Sequence, residues 1–186
     1  RLPWVTFSIM AANVIIFYVT LPIIGSQMEE VASHGSKLES FLATNPEVVA
    51  DEGVRKKLIE AGMMTKAEAE EFEQQIKADP ETESQYSAWL SSGDAMKMRE
   101  EFDQKLLAFT NARRESLWYK YGVAPNGEWK FYQLLTSAFL HGGNMHLWGN
   151  LLFFFAVAFS LEDLWGRGVF LGFYALGAMV ACIPSI

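Results

Sequence analysis

Cysteine is almost absent: Cys182 is the only one in the chain, so no intramolecular disulfide can form. Histidine is nearly as scarce, with only His34, His141 and His146. No His-Glu-x-x-His pattern occurs, and neither later histidine has a carboxylate or thiolate beside it in sequence, which argues against a metal site. No metal and no cofactor are expected. Charge of one sign is lacking too. Thirteen of the fifteen basic and twenty of the twenty-two acidic residues lie between Ser26 and Lys130. This mixture does not suit a nucleic-acid surface, and no nucleic-acid partner is expected.

Long apolar runs, by contrast, are present. Half of the residues are hydrophobic, yet mean hydropathy is close to neutral, as when two unlike materials are joined. Residues 2–24 carry no formal charge, enough for a helix across a hydrocarbon core of roughly 30 Å. The run is longer than a secretory leader's apolar region and lacks a small-x-small cleavage site, so it reads as a retained span. Asn13 and Pro22 are tolerable there if they face protein or the interface. Further apolar stretches run from Asn144 to Leu161 and from Gly168 onward.

Arg1 flanks the first run and Arg167 lies between the second and third. The positive-inside rule then puts the N-terminus in the cytoplasm and residues 26–130 outside it. The expected organisation is a first span at 1–25, an extracytoplasmic helical segment at 26–118, and a membrane-interface region at 119–143. A second span follows at 144–165 and a third at 168–186. The fold class is all-α: a polytopic membrane bundle, with a helical soluble subdomain inserted in its first outer loop.

The inserted segment has helix punctuation of its own. Asn45 and Pro46 read as the cap and first position of a helix stopped by Gly62. Thr65 and Glu68 form a Ser/Thr-x-x-Glu capping box, with Pro80 following that helix's close. A longer helix is expected from Gly93 to Tyr119, with Met98, Phe102, Leu106 and Phe109 along one face. Trp118, Tyr119 and Tyr121 suit an interfacial aromatic belt. His34 reads as a solvated residue in a Ser/Gly-rich turn.

The stretch "HGGNMHLWGN", residues 141–150, places polar side chains in or beside a membrane-worthy segment, where an unpartnered polar group is costly. On a helix, His146 and Asn150 share one face. His141 is five residues earlier, a poor interval for two ligands on one helix, and precedes Gly142-Gly143, so it belongs to the entering loop. Three readings compete: a metal pair, polar groups satisfied by neighbouring elements, and a pair of donors for a developing oxyanion.

The run from Gly127 to Ala178 resembles the rhomboid family of intramembrane serine proteases. The resemblance rests on Trp129-Lys130, the Thr136-to-His141 segment, the His141-x4-His146-x3-Asn150 spacing, and Glu162 with Gly166. It implies six spans, of which three are expected in this sequence. It also implies that His146 and Asn150 stabilise the oxyanion, while His141, Glu162, Trp129 and Lys130 support the site. Lys130 stands where the family usually has arginine and lacks the planar fork of a guanidinium. The roughly hundred-residue enlargement of the first outer loop is a second departure.

Rhomboids use a Ser-His dyad, the serine in a Gly-x-Ser-Gly turn on the fourth span. No Gly-x-Ser-Gly occurs here, and Ser185 follows proline with no base to activate it. Nucleophile and general base are therefore expected outside this sequence, which by itself would be inactive and reads as the N-terminal part of a longer polypeptide. The implied partners are a transmembrane substrate or client, the lipid bilayer, and a protein outside the bilayer for the inserted subdomain. The alternative is a non-catalytic rhomboid-like client-binding protein, or a truncated subunit whose inserted segment is an interaction module. Gly168 with Gly172, and Gly177 with Ala181, are small-residue pairs suited to close helix packing.

Overall fold

A computed structural model describes residues 2–123 and 130–182. Every regular element among them is helical. The elements are α1 (Trp4–Thr44), a 3₁₀ turn (Pro46–Ala50), α2 (Glu52–Glu60), α3 (Lys66–Ala78), α4 (Pro80–Leu90) and α5 (Gly93–Glu115). They continue with α6 (Leu117–Tyr121), α7 (Gln133–Thr136), a second 3₁₀ turn (Ser137–Phe139), α8 (Asn144–Trp165) and α9 (Arg167–Ala181). Two of them, α1 and α8, are long and apolar enough to cross a membrane by length and composition; α9 is apolar but shorter.

The chain forms two compact units, one of residues 1–28 and 114–186, the other of residues 29–113. In the first, α1 and α8 are antiparallel, because α1 numbers rise as their α8 partners fall. Thr6 meets Glu162, Ile9 packs with Ala158 and Phe170, and Phe17 packs with Leu147 and Leu151. Thr6, Ile9, Asn13 and Phe17 recur at helical spacing and are all buried, so they form α1's inward stripe. Asn13 donates to the Ile9 carbonyl at 2.8 Å, which satisfies a polar group in apolar surroundings. The outward positions remain apolar: Ile15, Val19, Leu152, Phe153, Leu164 and Leu176 are all exposed. Such a surface suits lipid.

Gly166 alone joins α8 to α9. Its φ of 77° is left-handed, and its N–H donates to the Glu162 carbonyl at 2.9 Å. A Cβ at that φ would be strained.

The second unit closes around Leu38, Phe41, Val48, Val54, Leu58, Ala61, Phe102 and Leu106. Met98 and Phe109 pack against this core, so the apolar face read from α5 is the buried one. The Thr65–Glu68 capping box forms, with Thr65 N–H donating to Glu68 at 2.7 Å and Glu68 N–H donating to Thr65 Oγ1 at 3.2 Å. Gly62 ends its turn at φ 72°. Buried Arg55 satisfies its charge by donating to the Val49 and Ala50 carbonyls at 2.9 and 2.7 Å, with Glu73 at 3.7 Å.

Four local expectations are corrected. His34 lies within α1, which runs unbroken to Thr44, because the polar residues after Ser26 are themselves good helix formers. Asn45 caps nothing with its side chain; Pro46 begins a 3₁₀ turn, and α2 is capped by Asp51, which accepts from Gly53 and Val54. Pro80 opens a further helix, α4, capped by Asp79. Ser116 ends the long helix early by capping α6, accepting from Tyr119 N–H.

Candidate functional site

Polar groups of the first unit gather at the loop that leads into α8, and a buried glutamine builds that loop. Gln133, 4% exposed, donates through Nε2 to the Tyr119 and Gly122 carbonyls at 2.8 and 2.9 Å. Its Oε1 accepts from the Lys130 N–H. One side chain thus substitutes for three missing backbone partners, as buried backbone groups require. Thr136 Oγ1 donates to the Tyr121 carbonyl at 2.7 Å and Tyr132 OH to the Lys120 carbonyl at 3.0 Å. Cys182 Sγ lies 3.0 Å from Ser137 Oγ, tying the end of α9 to the same segment.

His141 follows this segment and is buried at 8% exposure. Its Nδ1 is 3.3 Å from the Phe139 carbonyl oxygen. Because that oxygen only accepts, Nδ1 carries the proton in this bond and Nε2 keeps its lone pair. The ring meets Phe17 edge-on at a centroid separation of 6.4 Å and His146 at 5.4 Å. Desolvation holds His141 below the usual imidazole range; the Phe139 carbonyl opposes this and the His146 charge adds to it.

Helix α8 begins at Asn144, whose Oδ1 accepts from Tyr18 OH at 3.0 Å. His146 and Asn150 are exposed and one turn apart, while Leu147 and Leu151 face α1. Among the described residues neither His146 nor the Asn150 carboxamide has a hydrogen-bond partner. An apolar cleft of about 470 Å³ opens beside them, lined by Asn150, His141, Asn13, Phe154, Tyr174 and Gly177 among others. His146 does not line it. The structure therefore brings Asn150 and His141 to the cleft, and seats His146 against His141.

Glu162 is remote from this group along α8. It is buried, and its carboxylate accepts from Val5 N–H at 3.1 Å and from Thr6 N–H and Thr6 Oγ1, each at 2.8 Å. Arg167 Nε lies 3.8 Å away. The carboxylate thus caps the first turn of α1 from another helix, where helix N–H groups lack partners and favour negative charge.

Of the remaining expected residues, Lys130 is exposed and contributes its backbone N–H rather than its side chain. Trp129, Ser185 and Arg1 lie outside the described residues. Gln133 was not anticipated from the sequence. Its only signal there is a lone amide inside the apolar run "FYQLL". Among the described residues no group of three or more His, Cys, Asp or Glu could together hold a metal.

The preorganised parts are a carboxamide without a partner at an apolar cleft and an imidazole pair beside it. Such an arrangement can donate hydrogen bonds to an anionic oxygen in a place where water competes poorly. Residues 128–186 match the family model of the Rhomboid domain. No curated protein and no solved structure matches the chain.

Proposed function

Starting from the rhomboid-family membership that residues 128–186 support, we propose that this chain is the oxyanion-stabilising part of an intramembrane serine protease. In this reading α1, α8 and α9 cross the bilayer, with the N-terminus in the cytoplasm and residues 26–130 outside. His146 and Asn150 donate to the oxygen of a scissile carbonyl as it becomes tetrahedral. A serine on a further span attacks that carbonyl, and a histidine on another takes the serine proton, then returns it to the leaving amine. His141 and Gln133 hold the entrance loop, and Glu162 fixes the far end of α8 to α1. The substrate is a transmembrane segment, and the unit of residues 29–113 screens substrates or partners outside the bilayer.

The observation that carries the reading is the unpaired Asn150 carboxamide at an apolar cleft. A polar group left without a partner there costs stability, and a reaction intermediate that needs a donor explains why it is kept. The test is cleavage of a transmembrane reporter by the polypeptide that carries this chain together with the dyad. Asn150→Ala is expected to slow turnover by roughly 10²–10³, the scale for losing one oxyanion donor. Unchanged turnover at normal membrane levels removes Asn150 from the mechanism.

A second reading, a non-catalytic client-binding protein, is favoured by the same cleft, since an apolar groove can seat a client helix without a nucleophile. Reporter cleavage that depends on Asn150 rejects it.

A further inference from the structure

The five-residue interval between His141 and His146 is wrong for two ligands on one helix, but the fold does not place them on one helix. Helix α8 starts at Asn144, and His141 lies in the loop before it, so its ring can turn toward the first turn of α8. The ring centroids are 5.4 Å apart with planes at 65°. A tetrahedral metal about 2.0–2.1 Å from one nitrogen of each of two imidazoles sets their centroids about 5 Å apart. The protonated Nδ1 of His141 is engaged by the Phe139 carbonyl, leaving Nε2 as a ligand lone pair. That carbonyl contact is the outer support that metal-bound histidines ordinarily have. His146 is exposed, so water can complete the coordination.

We propose that His141 and His146 form a two-imidazole site for a divalent transition-metal ion, Zn²⁺ foremost, at the N-terminal end of α8. Two nitrogen ligands suit a borderline ion such as zinc and do not suit magnesium or calcium, which require oxygen ligands. Zinc binding needs only the geometry. Its consequence rests on the proposed function: a metal on His146 occupies a ring that would otherwise serve the oxyanion, so zinc acts as a reversible inhibitor.

The test uses Zn²⁺ alone, titrated into this chain in detergent micelles against a chromophoric chelator. The native chain is expected to withhold one equivalent of zinc. That binding is lost in His146→Ala, where an exposed side chain is removed and the core is untouched, and in His141→Gln. It is kept in His34→Ala and Cys182→Ser, which remove the other histidine and the thiol. Magnesium in place of zinc is not bound. The proposal is overturned by an absence of zinc binding, by binding that survives His146→Ala, or by binding that falls with His34→Ala or Cys182→Ser. None of those results touches the oxyanion reading, which needs no metal and is tested by cleavage.

Discussion

The Glu162 carboxylate, near the end of α8, accepts two hydrogen bonds from Thr6, one from its N–H and one from its hydroxyl, both at 2.8 Å. A residue late in one apolar helix therefore completes the first turn of another more than 150 positions earlier in the chain. Replacing Glu162 with Ala leaves the Val5 and Thr6 amides buried and unpaired. The expected loss is about 3 kcal/mol, read as a fall in the thermal midpoint of the chain in detergent. Glu162→Gln, which keeps one acceptor oxygen, is expected to lose less.

Gln133 makes an analogous replacement prediction in the entrance loop. Gln133→Leu removes the acceptor from the Lys130 N–H and the donors from two carbonyls. The Lys130 amide is expected to exchange hydrogen faster, while amides in the middle of α8 are unchanged. Equal acceleration in both places would make Gln133 part of the global core rather than a loop fastener.

Gly122 tests the same loop by steric means. A Cβ there would lie 2.6 Å from the Trp118 carbonyl oxygen and 3.3 Å from the Trp118 ring. Because the obstacle is backbone, Gly122→Ala must move the chain, at a cost of roughly 1–3 kcal/mol. The measurement is again the thermal midpoint, and an unchanged value contradicts the packing described.

Residues 29–113, expressed alone, are expected to give a helical circular dichroism spectrum and one cooperative unfolding transition. Phe102 is fully buried in that core, so Phe102→Ala should destabilise the unit by about 3–5 kcal/mol. A random-coil spectrum from the unmutated fragment would remove its standing as an independent domain.

The Thr65 backbone and side chain hold the Glu68 carboxyl below the usual carboxylate range. A carboxyl whose folded value is depressed contributes stability above its unfolded value and loses it as pH falls through the folded one. The α3 cap should therefore weaken only on acidification through and below the ordinary glutamate range. An NMR titration of the fragment reads this directly. In Thr65→Ala the Glu68 value should return to that of an unperturbed glutamate.

The residues explain how far the sequence could be read. The Thr65–Glu68 box and the Phe102–Leu106 face were legible because each depends on neighbours within one helical turn. The unbroken run of α1 past Ser26 was not, because the switch from apolar to polar residues marks a change of surroundings rather than a change of backbone. Asn45-Pro46 carries a common helix-start signal, but Asp51 supplies the cap, and nothing in the spacing decides between them. At the site, the one-turn relation of His146 and Asn150 followed from periodicity alone. The His141–His146 contact, the Gln133 bonds and the Glu162 cap join separate segments, and no local pattern encodes them.

Gly166, the single residue between α8 and α9, leaves those helices no slack. With so short a joint they cannot slide lengthwise past one another, and they can part only by splaying, as the arms of tongs do. The cleft between them must therefore widen most at the end farthest from Gly166, where Asn150, Gly177 and Ala181 lie. Whatever enters is admitted from that end, beside the carboxamide, and Gly166 acts as the pivot that sets how wide the opening becomes.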